Sequence, residues 1–445
     1  MKNWMDKFTN KLIFFVTADV KRGLGLEDAL PSYHILCAQS DPLISVLRRQ
    51  GAKIYCLEEE GVQITKQDNN AGRILENQKV SNYIQKNTDS DAYIAYFKPS
   101  PKIDSLIQAC GYKAIGNTSD INEQFENKIN SAIIFKKYLS DYSVPTIINR
   151  LGDLSFSQLQ KHFSTPFILQ FGHGWAGRTT HLIHSESDFQ ILKNRFTHTR
   201  VRVSPYIDSY TILNNCCIYK NEVLVGPPAL QVNGIKILDD NPFATSGRQW
   251  PDGILEDKQK NIITLITTTV GKLLLRQKYK GFFGIDFLVE KKTGRIFVSE
   301  INARLTASTA FYTKRERVSG HIPLFAYHLA AYMEKDLDTS LYTDHIQGTQ
   351  IIIRNQLTAS QFENYPEVGT YALSNSKIRL MEKSYHPERL QKDEFILLKR
   401  NTFEKNDSEK ERIETVNSAV DRKGIFTSFM QDILSAHPLE KVDKH

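Results

Sequence analysis

The chain has 445 residues and a mass of 51.0 kDa, a length that predicts about three domains of roughly 150 residues each. Apolar residues make up 40% and charged residues 24% of it, which excludes a mainly disordered chain. Its 57 Lys and Arg against 50 Asp and Glu give a net charge of +7. With no Lys/Arg stripe interleaved with aromatics, that excess predicts no nucleic-acid partner.

No uninterrupted run of ~18 apolar residues occurs, so no membrane-spanning helix and no membrane partner are expected. The opening stretch MKNWMDKFTNKLIFFVTADV reads as a first core strand rather than a signal peptide. The five cysteines, Cys37, Cys56, Cys110, Cys216 and Cys217, form no C-x-x-C pair. Buried thiols in a reducing, cytoplasmic compartment are the expectation.

In chain order, KLIFFVT, YHILCAQ, AKIYCLE, DAYIAYF and YKAIGN are strand candidates between 11 and 117. DPLISVLRRQG, GRILENQKVSNYIQK and SPKIDSLIQACG are helix candidates between them. That alternation predicts an α/β doubly wound parallel sheet, binding ligands at its strand ends near Thr17–Gly25 and Lys98–Ser100. Next, SAIIFKKYLSDYSVP reads as a helix stopped by Pro145. The strands PFILQF and THLIHS flank the glycine-rich turn Gly172-His-Gly-Trp-Ala-Gly177, which predicts a hairpin. Strand-rich patterns follow through RVRVSPYID, ILNNCCIYKNEVLVGPP and PALQVNG.

Residues 256–279 carry apolar side chains at helical spacing, from Ile263 to Leu274. GFFGIDFLVE and RIFVSEINAR are two strands joined by the turn KKTG. A helix over 322–335 and strands at 348–356 and 393–400 come after them. The charged stretch 401–423 reads as a surface helix or connector.

Residues two apart on a strand share a face, so Glu300, Asn302 and Arg304 project together, and Asp286 joins them if the two strands pair. Two carboxylates and an amide oxygen suit Mg²⁺, and an arginine fork suits phosphate. Strand periodicity alone is equally compatible with a solvated face.

The segment YKGFFGIDFLV…GRIFVSEINARLTAS resembles the G-x-x-G-x-D…E-x-N-x-R signature of the ATP-grasp superfamily. That superfamily includes D-alanine–D-alanine ligase and biotin carboxylase. The resemblance implies Asp286, Glu300 and Asn302 as ligands of Mg²⁺ (or Mn²⁺), and Arg304 as the catalytic cation. Lys128, on a helix before a Val-Pro turn, is the implied nucleotide lysine. Gly172, Gly174, Gly177 and Arg178 are the implied phosphate-covering loop, and Val203 lies on the implied adenine-reading strand. Gln170 stands where the family has a second nucleotide lysine, and Ser204-Pro205 where it has a glutamate.

The implied architecture is a Rossmann-like pre-ATP-grasp domain (1–117) followed by a two-lobed α+β ATP-grasp domain (118–335). Within the latter, 118–206 is the nucleotide-clamping lobe and 207–335 the metal and catalytic lobe; 336–445 is an appendage for specificity or a dimer contact. The implied activity is ATP-dependent ligation of a small-molecule carboxylate to an amine through an acyl phosphate. Gln170 keeps an inactive nucleotide-binding module open as the alternative. Gln231 and Arg248 could line an acceptor pocket, and Thr306, Ser308, Lys314 and Arg315 a substrate loop, but their spacing decides neither. His173 reads equally as an ordinary loop histidine.

Overall fold

A computed structural model describes residues 4–65, 68, 70–88, 91–174, 179–251, 253–342, 345–354, 367–399 and 409–436. The first sheet holds β1 (Ile13–Thr17), β2 (Tyr33–Cys37), β3 (Lys53–Cys56), β4 (Tyr93–Tyr96) and β5 (Lys113–Ile115) in the order β3-β2-β1-β4-β5. All its pairings are parallel. β1 and β2 are buried on both faces, as a helix-covered parallel sheet requires. The crossovers are α1 (Pro42–Arg49), α2 (Ala71–Glu76) with α3 (Gln78–Asn87), and α4 (Pro101–Cys110). Asp41 caps α1 by accepting from the Leu43 amide, and Pro42 at the first helical position needs no partner for the N–H it lacks.

α5 (Ser119–Glu126) and α6 (Lys128–Tyr138) lead into a four-stranded sheet. It is built from β6 (Ile147–Arg150), β7 (Phe167–Phe171), β8 (Thr180–Ile183) and β9 (Arg200–Pro205), in the order β6-β9-β7-β8. α7 (Phe156–Phe163) and α8 (Glu186–Arg195) cover it over a core of Leu159, Phe167, Leu169, Phe189 and Val203. β7 and β8 pair antiparallel on either side of the glycine-rich turn, the expected hairpin.

Residues 206–208 alone connect β9 to the third sheet, whose first strand begins at Ser209. This sheet comprises β10 (Ser209–Tyr219), β11 (Glu222–Asn233), β12 (Thr245–Trp250), β13 (Gly281–Glu290), β14 (Ile296–Asn302), β15 (Gly348–Ile353), β16 (Gly369–Ser374), β17 (Lys377–Glu382), β18 (Glu394–Lys399) and β19 (Glu411–Thr415). Its order is β14-β13-β10-β11-β12-β15-β19-β18-β16-β17. α9 (Asp257–Arg276) packs over β10, β11 and β14 and buries Ile263, Ile266, Val270 and Leu274 in one core with Phe283, Ile285 and Phe287 of β13. The opposite side takes α10 (Thr309–Glu316) and α11 (Leu324–Met333), whose buried Phe325 reaches Phe15 of the first sheet.

One expectation is corrected. The stretch 401–423 is neither a surface helix nor a connector where it is described, because β19 runs through it, fully buried between β15 and β18. Its charges are compensated inside the protein. Arg412 pairs with Glu409 at 2.7 Å, and Glu414 accepts from the Gln350 amide at 2.8 Å. A buried strand with paired charges lacks the apolar alternation by which strands are recognised.

Candidate active site

β13 and β14 pair antiparallel with Asp286 opposite Glu300 and Gly284 opposite Asn302. A register shift between Asp286 and Phe287 sets the two carboxylates face to face. Asp286 is half-buried, and its Oδ1 is fully shielded with no hydrogen-bond partner. Burial and the neighbouring Glu300 charge push its carboxyl up to about 6, although Arg248, Gln231 and Lys128 pull the other way.

Lys128 opens α6 and is buried, and its Nζ makes an ion pair with Glu300 Oε2. Asn127 caps the same helix, accepting from the Ile129 amide at 3.0 Å. The Lys128 amide donates to Gly172 O at 2.9 Å, tying this helix start to the glycine-rich turn. A Cβ on Gly172 would lie 2.9 Å from Asn127 Oδ1, and one on Gly174 would overlap Thr179. Trp175, Gly177 and Arg178 lie outside the described residues.

Arg304 follows β14 and is held on several sides. Its Nε donates to Glu126 Oε1, its Nη1 to Leu305 O and its Nη2 to Asn302 Oδ1, each at 3.0 Å. Its guanidinium also lies 5.1 Å from the Phe97 ring centroid. Burial alone would raise the Glu126 carboxyl, but Arg304 and Lys98 hold it down to about 2.

A cavity of about 1750 Å³ joins the three sheets. Lys128, Gln170, Asp286, Glu300, Asn302 and Arg304 all line it, together with the Thr17–Asp19 and Lys98–Ser100 strand ends. Val203 does not, since its side chain sits in the core of the four-stranded sheet. Thr306 lines the cavity, whereas Lys314 turns away to pair with Glu27 at 2.8 Å and Asp28 at 2.7 Å. His173 is exposed beside Glu123 at 3.3 Å.

The residue that the sequence reading missed is Arg202. It faces Gln170 across the β7–β9 register, is buried, and lines the cavity. Its Nη1 donates to Ser299 O at 3.3 Å, while its Nε has no partner. The signal that could have found it is the neighbouring strand: a cation absent from one strand can be supplied from the residue paired with it.

The oxygen-only set of Asp286, Glu300 and Asn302 fits a hard divalent cation, and the orphaned Asp286 oxygen is the donor such an ion would satisfy.

Three sheets around one cleft, with a lysine from one lobe meeting carboxylates from another, form the ATP-grasp architecture, and solved structures of that fold match nearly the whole chain. No family model and no curated protein sequence matches it. The Staphylococcus aureus N5-carboxyaminoimidazole synthetase complexed with ADP is 14% identical, with a TM-score of 0.57 over 97% of both chains. The Aspergillus clavatus N5-carboxyaminoimidazole synthase, in complex with ADP and its aminoimidazole ribonucleotide, is 11% identical with a TM-score of 0.58. It covers 96% of this chain and 98% of its own. The biotin carboxylase domain of Hydrogenobacter thermophilus 2-oxoglutarate carboxylase, with MgADP and bicarbonate, is 13% identical with a TM-score of 0.59, over 92% and 86%.

Proposed function

We propose that this chain is an ATP-dependent ligase that activates a substrate carboxylate as an acyl phosphate and joins it to an amine, releasing ADP and phosphate. The observation that carries the reading is the Lys128–Glu300 ion pair formed across two lobes, beside a shielded Asp286 oxygen with no partner. ADP, ATP or MgADP in the similar structures supports it.

In this reading Lys128 and Arg202 neutralise the charge of the phosphate chain, and Arg304 sits where the carboxylate oxygen receives the γ-phosphoryl group. Glu126 fixes the Arg304 guanidinium in place. The amine then attacks the acyl carbon, and phosphate leaves with the bonding electrons. Asp286, Glu300 and Asn302 would hold Mg²⁺ or Mn²⁺, which supplies further charge neutralisation at the phosphoryl group. No protein nucleophile is needed, so the chain's work is positioning and exclusion of water. The substrates are small-molecule carboxylates and amines. The free cysteines among the described residues support a cytoplasmic setting, and the reading admits a homodimer as well as a single chain.

The test is ADP release with pooled amino acids, other amines, bicarbonate and Mg²⁺. Stimulated release that falls at least 100-fold in Glu300→Ala supports the ligase. Tight ATP binding with no turnover in any pool points instead to the inactive module that Gln170 raises.

A further inference from the structure

We infer that Cys37 and Cys56 form a reversible disulfide site, at which peroxide oxidation locks together two strand ends beside the cleft. The inference stands independently of the ligase reading.

The two residues close β2 and β3, and the parallel register sets them directly opposite one another. Neighbouring strands run about 4.8 Å apart, within the roughly 4.4–6.8 Å between α-carbons that a disulfide spans. Both side chains enter the same core, beside Leu43, Ile44 and Leu47 of α1. Cys56 Sγ leans toward β2, where it donates to Ala38 O at 3.8 Å, one residue beyond Cys37. The other cysteines are placed differently. Cys216 and Cys217 are sequence neighbours on β10 that point into different cores, and Cys110 is exposed at the end of α4.

Two buried cysteines can serve simply as small apolar side chains. This pair is not symmetrical, however. A hydrogen bond from Cys37 and the Glu59 and Glu58 amides hold the Cys56 thiol below its ordinary value, against the effect of burial. The same hydrogen bond, together with burial, raises Cys37 well above its own. One sulfur is thereby disposed to attack as a thiolate and the other to resolve, the division of labour that disulfide formation uses.

The chemistry balances with hydrogen peroxide as the oxidant. The Cys56 thiolate attacks one peroxide oxygen, the O–O bond breaks, and the departing hydroxide takes up the proton that Cys56 gave. Cys56 is then a sulfenic acid. The Cys37 sulfur, giving up its proton, attacks the Cys56 sulfur; the S–O bond breaks and a second water leaves. Two thiols lose two electrons, and one peroxide is reduced to two waters. Peroxide is little larger than water, and local opening of the eight-residue α1 is its route to both sulfurs.

The bond acts on the cleft through the chain beyond β2. Gln39, two residues past Cys37, lines the cavity. The Ser40 amide donates at 2.7 Å to the carboxylate of Glu58, two residues past Cys56. Joining the two sulfurs fixes residues 38–41 to the end of β3.

The test treats the full chain with hydrogen peroxide and maps cysteine oxidation by mass spectrometry of non-reduced peptides. A Cys37–Cys56 crosslink, reversed by dithiothreitol and absent from Cys56→Ser and Cys37→Ser, supports the site. In Cys37→Ser, Cys56 should accumulate as sulfenic acid, labelled by dimedone about fivefold more than in the parent. Amide hydrogen exchange over residues 38–41 should slow about threefold in the oxidised parent. The crosslink is read on the parent, so a serine variant that fails to fold leaves the test intact. Oxidation confined to Cys110, dimers joined through it included, overturns the site, as does a Cys37–Cys56 crosslink that forms only in urea. Unchanged exchange over 38–41 overturns the link to the cleft. None of these outcomes bears on nucleotide turnover, by which the ligase reading is judged.

Discussion

Under the proposed ligase reading, Arg202 is the side chain that most changes what the four-stranded sheet offers a nucleotide. Facing Gln170, it offers a buried guanidinium where an uncharged amide stands on the paired strand. A hydrogen bond to a charged group contributes about 1.5–3 kcal/mol, so Arg202→Gln should weaken ATP binding by roughly 10- to 150-fold. Adding Gln170→Lys to that variant should restore most of the loss, read by titration of an ATP analogue. His328 gives a second residue-scale expectation. Its Nδ1 accepts from the Phe282 amide at 3.0 Å, and burial pushes its pKa down to about 3. The unfolded chain, with an ordinary imidazole near 6.5, therefore binds the proton first as pH falls. Stability from the neutral ring is present above pH 6.5 and is lost through the window from 6.5 to 3, by about 1 kcal/mol between pH 6 and pH 5. Urea unfolding at those two pH values should show a smaller difference in His328→Gln than in the parent.

At the scale of elements, β13 depends on its first residue. Gly281 has φ +79°, and a Cβ there would overlap His328 Nδ1 and lie 2.9 Å from the Tyr332 ring. Gly281→Ala should cost about 1–3 kcal/mol from backbone strain, with the steric overlap added to it; the urea midpoint measures this. The strands of the first sheet and the amphipathic α9 were readable in the sequence because each carries one dominant period, two-sided apolar or helical. Asp286, Glu300 and Asn302 were readable because their spacing places them on neighbouring strands, where the register brings two of them opposite one another. Arg202 was not, since its meaning lies in a partner 32 positions away on another strand. β19 was hidden for a different reason: Glu411, Arg412 and Glu414 read as solvent-facing until Glu409 and Gln350 are seen beside Arg412 and Glu414.

Across the whole molecule, the cleft is held by polar ties between units distant in sequence. Asn117 receives the Lys280 amide at 3.1 Å and donates to its carbonyl at 2.8 Å, and Lys314 of α10 is fully buried against Glu27 and Asp28. Lys314→Met would leave two carboxylates facing a vacated cation site. Removing one partner of a buried pair costs about 3–5 kcal/mol, and a lowered urea midpoint should register it. The ten-stranded sheet has a further consequence. β12 and β15 pair directly, so the strands after residue 336 extend the surface that begins at β14 rather than forming a sheet of their own. A chain cut at 336 would strip β12 of its outer neighbour and leave a raw row of amides and carbonyls beside Arg248, ready to zip onto any other strand in solution. Such a fragment should self-associate in sedimentation, and the later half of the third sheet, β15 to β19, is therefore also its protection against becoming a template.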